Sequence, residues 1–245
     1  LLACDSGNSR IQSFQLDGTH LNTWTETNPG DLASPRSLTF GADSSVYVAN
    51  NDAQYIQKFN VEGEAVLRWG VRGDDNGRLV YPTDTALAND GSVYVVDAAN
   101  HRVQRFSASG QYITSLGALG SGNGEFYNPY NIALNPDGSA LVLDMGNVRI
   151  QKFTSDGEYV STFGSSGNGT GEFVFSNDIS QTCNGLAVAP DGSIYVADSR
   201  DRIQKFDAAG NYLLGWGAQG VGNGEFMCVR GLAVDPQGNV LAAHR

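Results

Sequence analysis

Five residues at one repeated position of this sequence have side chains that could bind a polar or anionic group. Arginine presents its donors in a rigid fork that matches a carboxylate or a phosphate, so the two arginines of the set are the candidate contacts for an anion. The five candidates are Arg36, Thr83, Tyr130, Asn184 and Arg230, and they follow Pro35, Pro82, Pro129, Cys183 and Val229. The alternative is that these side chains are solvated and hold no ligand.

The position recurs because the sequence itself repeats. One phrase reads DSGNSRIQSF, NNDAQYIQKF, DAANHRVQRF, DMGNVRIQKF and DSRDRIQKF in its five copies. The phenylalanines that end these phrases are separated by 45, 47, 47 and 53 residues, and they are Phe14, Phe59, Phe106, Phe153 and Phe206. A nearly constant period of this size predicts one supersecondary unit used many times.

Each repeat contains the pattern of four short antiparallel strands. In residues 183–217 the segments GLAVA and IYVAD alternate apolar and small residues, and the PDGS between them has the Asp-Gly chemistry of a tight hairpin. RIQKFD and YLLGWG supply a third and a fourth strand. No helical period interrupts them, so the sequence predicts the all-β class and the four-stranded blade of a β-propeller.

The charged residues of the repeated phrase are expected to form structural ion pairs. An aspartate ends the second strand of a repeat, and an arginine begins the third strand a few residues later. The pairs are Asp5 with Arg10, Asp97 with Arg102, Asp144 with Arg149, and Asp198 with Arg202. In the remaining copy these positions hold Asn50 and Tyr55. Because both charges are replaced together, the pattern favours a structural pair over a catalytic carboxylate.

The PDG hairpin, the (I/V)YVAD strand, the N-x-R-(I/V)-Q-x-F phrase and the G-x-x-G-x-G-x-G-x-F linker resemble the NHL repeat over essentially the whole chain. The resemblance implies one propeller domain over residues 1–245, usually with six blades, which would need about 24 strands. The sequence supplies 21 predicted strands, so we expect a segment of a longer, six-bladed protein. The alternative is a five-bladed ring in which Gly231–Asp235 pairs with Leu1–Trp24 and one strand is surplus.

In such a propeller the starts of the first strands line the mouth of the central channel, where the five candidates should form a ring. Beside this mouth, the segment VFSNDISQT at 174–182 is longer than the two residues that other repeats have there. Loops on a rigid scaffold often carry binding residues, so Val174, Phe175 and Ile179 are expected to form a small contact surface. Neutral variation in loop length is the alternative explanation.

Neither the composition nor the motifs indicate an enzyme, a metal or a cofactor. The formal net charge is −11 and the pI is near 4.5, which disfavours nucleic acid as a partner, and no long apolar run predicts a membrane span. The resemblance to the NHL family also raises the question of a zinc site, because in a lyase branch of that family a histidine cluster at the ring positions holds zinc. This sequence has no histidine at the ring positions, and its three are His20, His101 and His244. We therefore expect no metal, no cofactor and no catalytic residue.

Two features concern the compartment of the protein. Asn168 begins an Asn-Gly-Thr glycosylation sequon in a predicted surface linker, which favours an extracellular or exported protein over a cytoplasmic one. Cys183 and Cys228 occupy nearly the same position in successive repeats, so they could form a disulfide or remain two small core residues, and the odd number of cysteines leaves at least one thiol free.

The sequence is best interpreted as a non-enzymatic interaction platform. It would bind a protein or a polar or anionic ligand at the face that carries the ring and the 174–182 insertion. An enzymatic alternative is a lyase or a lactonase-like hydrolase with a metal in the channel. A further alternative is a structural module that self-associates through incomplete terminal blades.

Overall fold

The computed structural model describes residues 1–25, 32–176 and 183–244 of the chain. The chain forms two compact units, an N-terminal unit (Leu1–Ala118) and a C-terminal unit (Leu119–Arg245). Each unit contains three antiparallel sheets, in which every strand is hydrogen-bonded to the next strand along the sequence. Sheets 1 to 3 belong to the N-terminal unit, and sheets 4 to 6 belong to the C-terminal unit.

The strands of the N-terminal unit are as follows. Sheet 1 contains β1 (Leu2–Asp5), β2 (Arg10–Phe14) and β3 (His20–Trp24). Sheet 2 contains β4 (Pro35–Phe40), β5 (Val46–Asn50), β6 (Tyr55–Phe59) and β7 (Ala65–Trp69). Sheet 3 contains β8 (Pro82–Leu87), β9 (Val93–Asp97), β10 (Arg102–Phe106) and β11 (Tyr112–Leu116).

The C-terminal unit repeats the arrangement. Sheet 4 contains β12 (Pro129–Leu134), β13 (Ala140–Asp144), β14 (Arg149–Phe153) and β15 (Tyr159–Phe163). Sheet 5 contains β16 (Gly185–Val188), β17 (Ile194–Asp198), β18 (Arg202–Phe206) and β19 (Tyr212–Trp216). Sheet 6 contains β20 (Gly231–Val234) and β21 (Val240–Ala243).

The described part of the chain thus has 21 strands in four complete and two partial sheets, as the sequence predicts. At four strands per blade, the 21 strands make five blades and leave one further strand, which agrees with the five-bladed alternative. The six-bladed parent protein stays a prediction. The sequence analysis did not predict three single turns of 3-10 helix, and each turn lies in the loop that joins the aspartate-ending strand to the arginine-starting strand of its sheet. They are Ser6–Asn8, Ala98–Asn100 and Met145–Asn147.

Strand register brings the charged residues of the repeated phrase together. In sheet 3, Asp97 lies directly opposite Arg102, and the same pairing recurs between Asp144 and Arg149 in sheet 4. All four predicted ion pairs form, with nitrogen–oxygen distances of 2.6, 2.8, 2.8 and 3.0 Å in chain order. The prediction of structural pairs is therefore confirmed.

A buried aspartate ties a complete sheet to the linker that precedes it. In sheet 3 the Asp97 carboxylate is fully buried and accepts hydrogen bonds from Arg102 Nε at 2.8 Å and from the Asn100 amide at 2.9 Å. Gln104 Nε2 donates to the same carboxylate at 2.9 Å and to the carbonyl oxygen of Arg78, in the linker, at 2.6 Å. Since a buried carboxylate is costly unless its oxygens are paired, this network makes the burial of Asp97 tolerable.

Sheet 4 contains the same network, in which Gln151 connects the buried aspartate to the preceding linker. Gln151 Nε2 donates to Asp144 at 3.2 Å and to the carbonyl oxygen of Glu125 at 2.7 Å. Gln151 Oε1 accepts the Gly124 N–H at 2.9 Å, so one buried side chain binds the linker at two points. The glutamine of the repeated phrase is therefore a structural link, a role that the sequence analysis did not assign.

Aromatic side chains fill the space between successive sheets within each unit. Trp69 ends sheet 2 and packs on Phe106 of sheet 3 with ring centroids 6.1 Å apart. In the C-terminal unit Phe163 packs on Phe206 at 5.1 Å. Gly110 has φ +78°, and a Cβ there would lie 2.8 Å from Trp69 Cγ, so glycine is required both by the turn and by the indole.

The three cysteines have two different states. Cys183 and Cys228 form a disulfide that links the residues preceding β16 and β20, 45 residues apart in sequence. Cys4 lies in β1 as a free cysteine. Burial of its thiol, reinforced by the nearby Asp84 carboxylate, raises the pKa of Cys4 to about 12. Its thiol is therefore protonated over the physiological range.

Replacing Gln151 by alanine is expected to lower the free energy of unfolding by about 1–3 kcal/mol, because buried carbonyl, N–H and carboxylate groups lose a partner. Denaturant titration measures the change. Gln12→Ala is the matched control, since Gln12 stands at the same motif position but makes no side-chain hydrogen bond to any residue that the structure describes. An equal loss in the two variants would contradict the structural role of Gln151.

The turn acid Asp43 should contribute to the pH dependence of stability. The hydroxyl and N–H of Ser45 donate to its carboxylate and Lys58 lies 3.2 Å away, and these contacts lower the pKa of Asp43 to about 2. A lowered pKa in the folded state stabilises the fold above about pH 4, and this stabilisation is lost as the pH falls towards 2. The Tm difference between the native chain and Asp43→Asn should therefore shrink between pH 5 and pH 2. A constant difference would be the contrary result.

The native Cys4 thiol should react slowly. At pH 8 a thiol of pKa about 12 is ionised to only about one part in ten thousand, and the thiolate is the reactive form. Iodoacetamide should therefore modify the native chain at less than about a hundredth of the rate for the denatured chain. Denatured protein should show one reactive thiol without reductant and three after reduction. Rapid modification of native Cys4 would contradict this account.

Candidate functional site

The ring residues of the N-terminal unit lie on the neighbouring first strands of sheets 2 and 3. Arg36 is half-buried in β4, and Thr83 is buried in β8. The next residues along these strands also meet, because the Ser37 hydroxyl donates a hydrogen bond to the Asp84 carboxylate. Asp84 also accepts the Thr85 N–H at 2.8 Å. Asp84 is thus a mostly buried acid that the sequence analysis did not single out.

In the C-terminal unit two ring residues approach a common neighbour. Tyr130 packs in a core cluster that contains Met145, and Asn184 Nδ2 lies 3.6 Å from Met145 Sδ. Arg230 differs from them because it is exposed, and its Nε lies 3.5 Å from Cys228 Sγ. The structure thus buries Tyr130 and Asn184 and leaves Arg230 at the surface. The role of the five residues as a binding ring stays a prediction.

The predicted contact surface of the insertion is described only in part. Val174 is half-buried, whereas Phe175 is 7% exposed and stacks on Phe173 with centroids 5.3 Å apart. Phe175 therefore has a packing role in the core. Ile179 lies outside the described residues. Asn168 of the sequon is exposed in the linker before sheet 5, and its modification stays a prediction.

The C-terminal unit has an open cleft of about 520 Å³ beside sheet 5. Its walls come from the loop between β17 and β18 and from the two linkers that flank the sheet. The lining residues are Asn168, Val174, Ser199, Arg200, Asp201, Arg202, Gly217, Ala218 and Gln219. The cleft includes Val174, which belongs to the insertion where the sequence analysis expects binding.

The loop beside the cleft departs from the other repeats. In sheets 3 and 4 the aspartate and arginine are five residues apart, and the intervening Asn100 and Asn147 each donate to a linker carbonyl at 2.9 Å. In sheet 5 the separation from Asp198 to Arg202 is four residues, and no asparagine lies between them. The shorter loop therefore lacks the side chain that connects loop and linker in the other two sheets.

The two arginines of the cleft differ in their contacts. Arg202 donates to the carbonyl oxygens of Asn168 and Glu172 at 2.9 and 2.8 Å and pairs with Asp198 at 3.0 Å, so its donors are occupied. Arg200 is exposed, and its guanidinium has no ion pair or hydrogen bond to any residue in the described ranges. Arg200 is therefore the cation of the cleft that remains open to a ligand.

Sequence reasoning missed Arg200, although a signal was available. The phrase DSRDRIQKF is one residue shorter than DAANHRVQRF and replaces its asparagine region with a second arginine. Among the residues that the structure describes, no group of three or more histidine, cysteine or acidic side chains could hold a metal ion. In the same part of the chain, no helix has the length and apolar character to cross a membrane.

Comparison with known proteins identifies the fold. Residues 79–106 match the family model of the NHL repeat, and no curated protein matches the chain. A gluconolactonase from Xanthomonas campestris has a TM-score of 0.71 at 17% identity over 99% of this chain and 78% of its own.

Two further solved structures share the architecture. A streptogramin B lyase has a TM-score of 0.68 at 15% identity, covering 99% of this chain and 72% of its own. The hydrazine synthase of Kuenenia stuttgartiensis has a TM-score of 0.62 at 9% identity, covering 100% and 92%. These three proteins have different activities, so the likeness at this identity concerns the fold. The chain is an all-β propeller of four-stranded antiparallel blades and contains an NHL repeat.

Proposed function

We propose that this chain is a non-enzymatic interaction module that binds an anionic group of a protein or of a polar ligand in the cleft beside sheet 5. The observation that supports the proposal is the exposed Arg200 guanidinium, which lines a cleft of about 520 Å³ and has no partner among the described residues. A guanidinium recognises a carboxylate through two parallel hydrogen bonds, so Arg200 would be the principal contact.

The other lining groups fit a carboxylate-bearing segment. The exposed Gln219 carries an amide group that could donate to a ligand, and Val174 adds an aliphatic surface. The two acids nearby are engaged within the protein, because Asp198 pairs with Arg202 and Asp201 accepts the Cys228 N–H at 2.6 Å. Arg202 thus offsets the charge of Asp198, whereas the Cys228 N–H occupies one oxygen of Asp201 without neutralising its charge.

The predicted mouth residues form a second region of the same proposal. With a larger partner the surface would extend to the predicted mouth and the insertion, where some residues would touch the partner and others would support them. These residues are Arg36, Thr83, Tyr130, Asn184, Arg230, Val174, Phe175 and Ile179. The exposure of Arg230 supports its part in this contact. The burial of Tyr130, Asn184 and Phe175 assigns them to the support of the surface rather than to direct contact.

An extracellular or exported site of action fits this function. The Cys183–Cys228 disulfide favours an oxidising compartment, and the exposed sequon at Asn168 agrees with it. The enzymatic alternative is a lyase or lactonase-like activity, as in two of the structural neighbours. Metal analysis of the purified protein separates the two functions, since a tightly held divalent ion at one per chain would favour the enzyme.

Replacing Arg200 by glutamine should weaken binding of an acidic peptide. The probe is a capped peptide of alternating aspartate and alanine, and its asparagine analogue is the uncharged reference. Loss of a charge-assisted hydrogen bond should reduce the affinity about ten- to a hundredfold in isothermal titration calorimetry. The asparagine analogue should bind both proteins weakly.

Arg72→Gln is the matched control, because Arg72 is an exposed linker arginine of the N-terminal unit and the substitution makes the same change of charge. Its affinity for the acidic peptide should equal that of the native chain. Equal affinities of the native chain and Arg200→Gln would overturn the proposal. A loss with Arg36→Gln or Arg230→Gln alone would move the site to the predicted mouth.

A further inference from the structure

The disulfide of the C-terminal unit contacts two walls of the cleft. The Cys228 N–H donates to Asp201 Oδ1 at 2.6 Å, and Asp201 lines the cleft with only 6% of its surface exposed. On the other half of the cystine, the Cys183 carbonyl oxygen accepts the Ser199 hydroxyl at 3.3 Å. Ser199 and Asp201 flank Arg200 in sequence, so the loop that presents the candidate cation is held on both sides by the cystine residues.

The same contacts reach the opposite wall. The Ser199 N–H donates to the Val174 carbonyl oxygen at 2.8 Å, and the Ser176 N–H donates to Ser199 Oγ at 3.1 Å. Ser199 therefore links the Cys183 backbone to the linker that carries Val174. Both half-cystines are half-buried, so a small thiol can reach the bond, in contrast to a disulfide enclosed in a core.

We infer that the Cys183–Cys228 bond is a redox clamp that holds this cleft in its ligand-binding shape. The inference rests on the proposed function, because it concerns the regulation of the same site. In the oxidised chain the covalent link fixes the Cys228 N–H against Asp201 and the Cys183 carbonyl against Ser199. These two hydrogen bonds orient the loop from Ser199 to Asp201, and with it the Arg200 side chain.

Reduction opens the clamp by thiol–disulfide exchange with a dithiol. Two electrons and two protons pass from the dithiol to the cystine, the sulfur–sulfur bond of the protein breaks, and the dithiol becomes a disulfide. The segment before β20 then loses its covalent tie to the start of β16. The loop around Arg200 gains freedom, and a ligand must pay the entropy of ordering it before it can bind.

Hydrogen exchange and peptide binding together test the clamp on the whole chain. Dithiothreitol reduction should speed amide exchange at Ser199, Asp201 and Cys228, whereas amides of the N-terminal unit should keep their rates. The affinity for the acidic aspartate peptide should fall at least about fivefold, and reoxidation should restore it. A Cys4→Ser chain, which retains the disulfide, is the control for effects of the third thiol.

The outcomes separate the clamp from the proposed function. Unchanged exchange at Ser199, Asp201 and Cys228 after reduction would overturn the clamp, whether or not the peptide binds. Faster exchange with unchanged peptide affinity would overturn its control of the ligand. If the oxidised chain does not bind the peptide, the proposed function fails, and faster exchange on reduction would still support the clamp. Where the reduced chain unfolds altogether, exchange in the N-terminal unit would also rise, and that result contradicts a local device.

Discussion

Sheets 3 and 4 depend on a buried carboxylate whose oxygens accept several hydrogen bonds, although burial still raises the pKa of Asp97. Asp97 and Asp144 are fully enclosed, yet arginine, asparagine and glutamine side chains donate to each carboxylate. The donors also bind the linker that comes from the previous sheet, so one ionic centre fixes a loop, two strands and a connection. Removing a single donor from the network of sheet 3 or sheet 4 would leave a charge or a carbonyl oxygen unsatisfied.

The candidate site lies beside sheet 5, where the repeated phrase lacks one of these side chains. In sheet 5 the shorter loop keeps the Asp198–Arg202 pair but lacks the asparagine that reaches the linker in sheets 3 and 4. Arg202 donates to linker carbonyl oxygens, as Arg102 and Arg149 do in sheets 3 and 4, and Arg200 lies at the surface of the cleft. A repeat protein can thus gain a binding position by a change in one loop of one copy while its neighbours preserve the scaffold.

The repeat period was sufficient to predict the strands, their number and the four ion pairs, because each follows from local sequence. The loop of four residues between Asp97 and Arg102 sets the register that places these residues opposite each other, and this loop is visible in the repeated phrase. The sequence did not predict the role of Gln151, because that role depends on a contact with Glu125, 26 positions away. It did not predict the role of Arg200 either, because that role depends on the absence of an asparagine side chain from the loop. Phe175 illustrates the same limit, because an apolar residue in an insertion can pack inward on Phe173 as readily as face a partner.

The position of the cystine also determines how the chain responds to cleavage. Sheet 5, from Gly185 to Trp216, lies wholly within the covalent loop closed by Cys183 and Cys228. A protease that cuts one of the exposed turns of this sheet, such as that at Ala208 and Ala209, would leave both fragments joined through sulfur. On a denaturing gel without reductant, the cleaved molecules would therefore keep the mass of the full-length chain. A reductant would separate them into two fragments.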